Sequence, residues 1–261
     1  GRTLQYSIEL SQTAPYDLAE TLSLISMALR DPCLRRDDAR TIRMGLAGPK
    51  GPLAIRLEQH DRRIDVRIEG AAEDAVWLKP LLPQLLGLNF SPPTFDGPPR
   101  LRNLARKHAG LRLPRVPLIF PHLVQIVLQQ LVSFKDACHG WKELVRRYGT
   151  RIEGHDDLFT PPAAETLARL ASFQFVECGV LPEHGRRIIG LARVAKRVEL
   201  AWNHDQTTSA ADDTCAFLKQ QRGIGPWTIG SLRGSAMGDA DAAVPGDYSL
   251  PKHVAYFFTG E

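Results

Sequence analysis

Cysteine is scarce in this chain and never clustered. Cys33, Cys138, Cys178 and Cys215 lie far apart in the 261 residues, and no Cys-x-x-C occurs. That spacing argues against a zinc site or an iron–sulfur cluster and fits a reduced compartment, so the expected location is cytoplasmic. No run of eighteen apolar residues exists, which leaves no segment able to span a membrane as a helix. The first residues carry no secretory leader pattern. Gly-Lys-Ser/Thr is missing throughout, which excludes a phosphate loop of the nucleotide-hydrolase kind.

What is present is enough apolar material, 43% of residues, for a sizeable core and for more than one domain. The net charge of +4 is unevenly spread. Residues 1–100 hold 13 basic and 13 acidic side chains, whereas residues 101–151 hold ten basic against two acidic. Such a basic stripe suits phosphate, and it equally suits a solvated helix face.

The alternation of Leu4, Tyr6, Ile8 and Leu10 predicts a half-buried strand. Leu53, Ile55 and Leu57, then Ile64, Val66 and Ile68, predict a hairpin turning near His60 to Arg62. Asp17 and Glu20 have capping-box spacing ahead of a helix expected to run to about Arg30. A second helix is expected from Ala71 to Leu88, kinked at Pro80 and Pro83. Residues 1–100 thus read as an α+β domain with a small antiparallel sheet, closed by a proline-rich linker from Ser91 to Pro99. Residues 101–261 change to helical spacing. Helices are expected around Leu123–Leu131, from Phe134 to Tyr148 with Ser133 and Asp136 at its start, at 161–172, 184–200 and 212–221, and from Trp227 to about Arg233. Gln130 and Leu131 fall at a helix end, where the unaided reading is a surface turn with one buried leucine.

The chemistry is expected at Gly223-Ile224-Gly225-Pro226-Trp227-Thr228, followed twenty positions after Trp227 by Asp247. Two glycines allow a tight turn that brings N–H groups out at the start of a helix, where partial positive charge suits a phosphate oxygen. A dinucleotide-binding loop is excluded, because position 228 is Thr rather than Gly and the preceding segment is helical in pattern. By themselves these residues also fit an ordinary helix–helix turn, and Asp247 also fits an N-cap of a helix following Tyr248.

Taken together, Gly-Ile-Gly-Pro-Trp-Thr at 223–228 and Asp241-Ala-Ala-Val-Pro-Gly-Asp247-Tyr248 resemble the helix-hairpin-helix DNA glycosylases of base-excision repair, in particular the bacterial 3-methyladenine DNA glycosylase II type. Pro15–Leu18, Ala109–Pro114 and Gln130–Ser133 match further segments of that family, so the resemblance covers most of the chain. It implies an α+β N-terminal domain followed by a helical helix-hairpin-helix domain, acting as a monomer on damaged double-stranded DNA in the bacterial nucleoid, without a membrane. It implies Asp247 as the catalytic carboxylate and Trp227, Gln130, Ser231 and Tyr248 around the base pocket. Leu131 would be the wedge in the duplex, and Gly223, Ile224, Gly225 and Thr228 the DNA-binding hairpin. Backbone carbonyls of Lys219, Gln221 and Ile224 would hold Na+ or K+ against a phosphate; no organic cofactor is implied.

The residue types fit that chemistry. Unstacking a base costs roughly a few kcal/mol, and an apolar wedge offsets part of it by filling the hole. An alkylated purine is cationic, and an indole face attracts it by ~0.5–2 kcal/mol. One carboxylate then stabilises oxocarbenium-like charge on the sugar and positions water. The lyase-type relatives carry a nucleophilic Lys where Trp227 stands, so release without strand cleavage is expected. The chain departs from the family in the hairpin at Gln221 and Arg222, and around the pocket at Ser231 and Ser249, which implies a wider or more polar pocket. Fourteen residues follow Asp247, where the family adds helices that close the pocket; a fragment and an unusually open site are among the readings that stay open. Against the alkylated-base enzyme stand a catalytically silent DNA binder and a glycosylase for oxidised or deaminated bases.

Overall fold

Alternating apolar residues in the first 70 positions pair into one five-stranded antiparallel sheet of order β1-β5-β4-β3-β2. Its strands are β1 (Arg2–Glu9), β2 (Leu34–Arg36), β3 (Thr41–Ala47), β4 (Pro52–Gln59) and β5 (Arg63–Gly70). The computed structural model describes residues 2–28, 30–89, 99, 103, 106–202 and 208–243. Asp247, Tyr248 and Ser249 lie outside the described residues, as does the linker from Ser91 to Pro98.

The predicted strands are present: Leu4 opposes Ile68 and Ile8 opposes Ile64, with Leu57 opposite Val66 in the next pair. The sheet has two strands beyond those expected. In β3, Ile42, Met44 and Leu46 alternate inward, but Gly45 and the charged run before Thr41 obscure the pattern. Gly45 is needed because a Cβ there would collide with the Phe159 carbonyl. Residues 149–160 return to this strand as a short hairpin, β6 (Thr150–Arg151) and β7 (Phe159–Thr160).

Helix α1 (Leu18–Ser23) starts as predicted, with the Asp17 carboxylate accepting from the Glu20 N–H at 3.0 Å. It stops at Ser23 rather than near Arg30. The buried Asp31 competes for the backbone here: its carboxylate accepts from the N–H of Met27 and of Cys33, each at 2.9 Å, and from the Trp141 indole at 2.8 Å. One side chain thereby breaks a helix and ties the sheet region to the helical one. The prolines interrupt the next helix as expected, giving α2 (Ala72–Leu78), a 3-10 turn (Lys79–Leu81) and α3 (Leu82–Leu85).

The helical part contains α4 (Phe120–Leu128), α5 (Phe134–Tyr148), α6 (Ala164–Ala168), α7 (Ser172–Glu177), α8 (Pro182–Arg193), α9 (Ala195–Trp202), α10 (Thr208–Lys219), α11 (Pro226–Ala236) and α12 (Ala240–Ala243). Of the expected helices, that at 161–172 is shortened to Ala164–Ala168, and that at 184–200 is split at Val194. One apolar cluster runs from Leu57 and Ile64 in the sheet through Val127 and Trp141 to Leu218 and Leu232. The segment at 109–114 fastens the regions together. Gly110 C=O accepts from Asp17 N–H at 2.8 Å, and the buried Arg112 donates to Pro15 C=O at 2.6 Å.

The start of α4 carries two groups that titrate in opposite senses. Oε1 of Glu199 accepts from the N–H of Ile119 at 2.6 Å and of Phe120 at 3.3 Å. Burial nevertheless pushes its carboxyl from 4.5 up to about 7. The folded state therefore holds a proton that the unfolded chain releases, and this group's stability contribution falls as pH rises through that window. Burial pushes the His122 imidazole from 6.5 down to about 4, so its contribution rises with pH. The two slopes oppose each other. Glu199→Gln removes the falling one, so its unfolding free energy is expected to rise between pH 5 and 6.5 by on the order of 2 kcal/mol relative to wild type. Urea midpoints at those two pH values measure this, and parallel profiles for the two proteins would refute it.

Candidate functional site

Two glycines shape the turn between α10 and α11. Gly223 has φ +81°, a left-handed conformation open to glycine, and a Cβ there would strike the Arg187 side chain. Gly225 is extended at the N-cap of α11, with Pro226 at the first helical position. Ile224 between them is buried and anchors the turn in the core. The first turn of α11 thus leaves N–H groups without intrahelical partners. Trp227 in that turn is 50% exposed, large for an indole, whereas Thr228 points inward and is buried. Ser231 is half-buried one turn further along α11.

The second part is the loop between α4 and α5. Ser133 caps α5, accepting from the Asp136 N–H at 3.1 Å as its spacing predicted. Leu131 just before it is 99% exposed with φ +57°, a conformation rare for a leucine. This corrects the unaided reading of a buried leucine in that turn. An apolar side chain held fully in solvent on a strained backbone is the kind of feature that marks a functional position.

Gln130 joins the two parts. Its Nε2 donates to Thr228 Oγ1 at 2.8 Å and to the Gly223 C=O at 3.2 Å. Its Oε1 accepts from Arg187 Nη1. His184 and Arg187 stand three residues apart on one face of α8. Desolvation, followed by the Arg187 charge, keeps His184 below its ordinary pKa. The structure therefore brings Gln130, Leu131, Gly223, Ile224 and Thr228 together. Arg187 is the member that sequence reading passed over. It was one of several basic residues at 186–197, and nothing in the pattern separates it from Arg186.

Arg186, Arg187, Arg222 and Gly223 also line a cleft beside the hairpin. Glu183 lines the cleft too and pairs with Arg187 at 3.9 Å, but the carboxylate is 70% exposed, so among the described residues this long surface pair screens the guanidinium only weakly. After α11 the chain is held by Asp239, which accepts from Arg233 Nε at 2.8 Å and from the Asp241 N–H at 3.1 Å. Lys219, Gln221 and Ile224 lie around the same turn. The Gln221 carbonyl takes the Ile224 N–H at 3.3 Å, and Lys219 ends α10, where carbonyls lack intrahelical partners. Among the described residues no cluster of His, Cys, Asp or Glu could hold a metal ion, and no helix is long and apolar enough to cross a membrane.

No family model matches the chain. A DNA-3-methyladenine glycosylase of Bacillus subtilis (strain 168) is 31% identical over 131 residues, which is 50% of this chain. The match spans 43% of that relative's length. A 3-methyladenine DNA-glycosylase from Archaeoglobus fulgidus superposes with a TM-score of 0.72 at 18% identity, covering 98% of this chain and 87% of its own. An 8-oxoguanine glycosylase/lyase of Clostridium acetobutylicum, in complex with double-stranded DNA containing cytosine opposite 8-oxoguanine, superposes with a TM-score of 0.67 at 14% identity, covering 99% and 86%. The chain has the fold of the helix-hairpin-helix DNA glycosylases.

Proposed function

We propose that this protein is a DNA glycosylase that flips alkylated bases, of the 3-methyladenine or 7-methylguanine type, out of duplex DNA and releases them by hydrolysis. The observation that carries this reading is Leu131, an exposed and strained leucine on a loop fastened to a Gly-x-Gly turn. A protein that only gripped DNA through backbone phosphates has no need of an apolar side chain held in solvent at that turn. The choice of lesion draws on the 31% likeness to a DNA-3-methyladenine glycosylase.

In this reading the N–H groups at the start of α11 take a phosphate oxygen, blind to sequence. Leu131 fills the space vacated by the flipped nucleotide, and Trp227 offers its open face to a cationic base. Asp247 supplies the charge that stabilises the sugar as the glycosidic bond breaks, and directs water to it. Gln130, Ser231 and Tyr248 bound the pocket. With Trp at 227 there is no lysine there to form a Schiff base with the sugar, so release occurs without strand cleavage. Carbonyl oxygens such as those of Lys219, Gln221 and Ile224 suit a hard monovalent cation, and Na+ or K+ held there would add positive charge beside the phosphate. Replacing K+ by choline at constant ionic strength is expected to weaken DNA affinity; an unchanged affinity would argue against the ion. The protein acts as a monomer.

The test is base release from methylated duplex, with products identified by mass. Release of 3-methyladenine or 7-methylguanine with an intact abasic strand is the expected result. The likeness to an 8-oxoguanine glycosylase/lyase supports a second reading, an oxidised-base enzyme. Release from 8-oxoguanine duplex in place of methylated duplex would select it, and a cleaved strand would establish lyase chemistry.

A further inference from the structure

We infer that Arg187 and Gln130 form a positioning clasp that couples phosphate engagement at the hairpin to presentation of the Leu131 wedge. The inference rests on the glycosylase reading for its meaning but not for its geometry. Leu131 makes no contribution to the core, so nothing about its own side chain fixes where it points. The residue before it is held at its backbone N–H and at both ends of its side-chain amide. The Gln130 N–H bonds Val127 C=O at 3.1 Å, and its amide spans Arg187, Thr228 and Gly223. The posture of the wedge is therefore set by the hairpin and by α8 rather than by α4 alone.

Arg187 holds the other side of the clasp. It bonds the Gln130 amide oxygen, which is neutral, and its pairing with the largely exposed Glu183 carboxylate at 3.9 Å is a weak surface contact that a phosphate can displace. It packs over Gly223, where a Cβ would displace its side chain, and it lines the cleft with Glu183, Arg186 and Arg222. The ligand chemistry that suits this cleft is a phosphate oxygen of the strand that crosses the hairpin. A phosphate drawing on Arg187 tightens the same guanidinium that orients Gln130, and Gln130 orients Leu131. Neither residue need touch the reacting atoms: both are positioning residues.

The experiment compares wild type with Gln130→Met, Arg187→Met and Arg187→Lys. Three quantities are read: affinity for undamaged duplex, single-turnover base release from methylated duplex, and deuterium exchange of residues 126–134 with and without undamaged duplex. Gln130→Met keeps length while removing all amide bonds. It is expected to slow release by about 10–100-fold, the effect of a misplaced group, with affinity changed by less than about threefold. In wild type, DNA is expected to protect residues 126–134 from exchange. That protection should vanish in Arg187→Met and return in part in Arg187→Lys, which restores one donor. The clasp is overturned by any of three results: DNA leaves those residues unprotected in wild type, protection survives in Arg187→Met, or release falls only as far as affinity does. Wild type that releases no base refutes the glycosylase reading alone, because the exchange arm still decides the clasp.

Discussion

Asp247→Asn is expected to slow base release by about 10³-fold or more, with affinity for undamaged duplex unchanged or slightly higher. The substitution keeps the size and hydrogen-bonding reach of the side chain and removes its charge. If the reaction passes through an oxocarbenium-like sugar, the lost quantity is transition-state stabilisation, so release falls while ground-state binding does not. A carboxylate near phosphates also repels them, and its neutralisation favours binding. The alternative role of Asp247, an N-cap, predicts the opposite pattern. Asn caps a helix about as well as Asp, so release would barely change. Single-turnover release and duplex affinity measured side by side separate the two, and retained release would remove Asp247 from the mechanism.

Leu131→Gly is expected to stabilise the protein and disable it at the same time. A leucine at φ +57° is strained by roughly 1–2 kcal/mol, and glycine relieves that strain. Because Leu131 is 99% exposed, its removal forfeits almost no packing. The added freedom of glycine in the unfolded chain takes back part of the gain, leaving about 0.5 kcal/mol or somewhat more. Base release is expected to fall by about 10–100-fold, because the unstacked duplex is left with an unfilled gap worth a few kcal/mol. Urea unfolding and single-turnover release test the two halves separately. A loss of stability would mean that the leucine packs against something in the free protein. Release at the wild-type rate would mean that another side chain opens the duplex.

Much of the fold was legible because its signals are local. Alternation at Leu4–Leu10, Leu53–Leu57 and Ile64–Ile68 marks strands whose inward faces the sheet buries, and the caps at Asp17 and Ser133 bond as their spacing predicts. The hairpin glycines were legible for the same reason: a left-handed turn at Gly223 needs a residue without a Cβ. Other features depend on contacts distant in sequence. Helix α1 ends at Ser23 because Asp31 captures the following backbone while holding Trp141, 110 residues away. Strand β3 is recognisable only once Phe159 is seen to close over Gly45.

The α+β order of elements, the Gly-x-Gly turn, the Trp at 227 and the acid at 247 can all be read from the order of residues alone. These are matters of residue type and spacing, which the chain carries whether folded or not. That Leu131 stands in solvent while Gln130 beside it is buried emerges only in the folded chain. The fold alone singles out Arg187 from its basic neighbours as the side chain that meets both Gln130 and the hairpin. The physical reason is that exposure and partnership belong to the packing of α4, α8 and α11 against one another. A leucine in a turn is identical in sequence whether that packing buries it or holds it out.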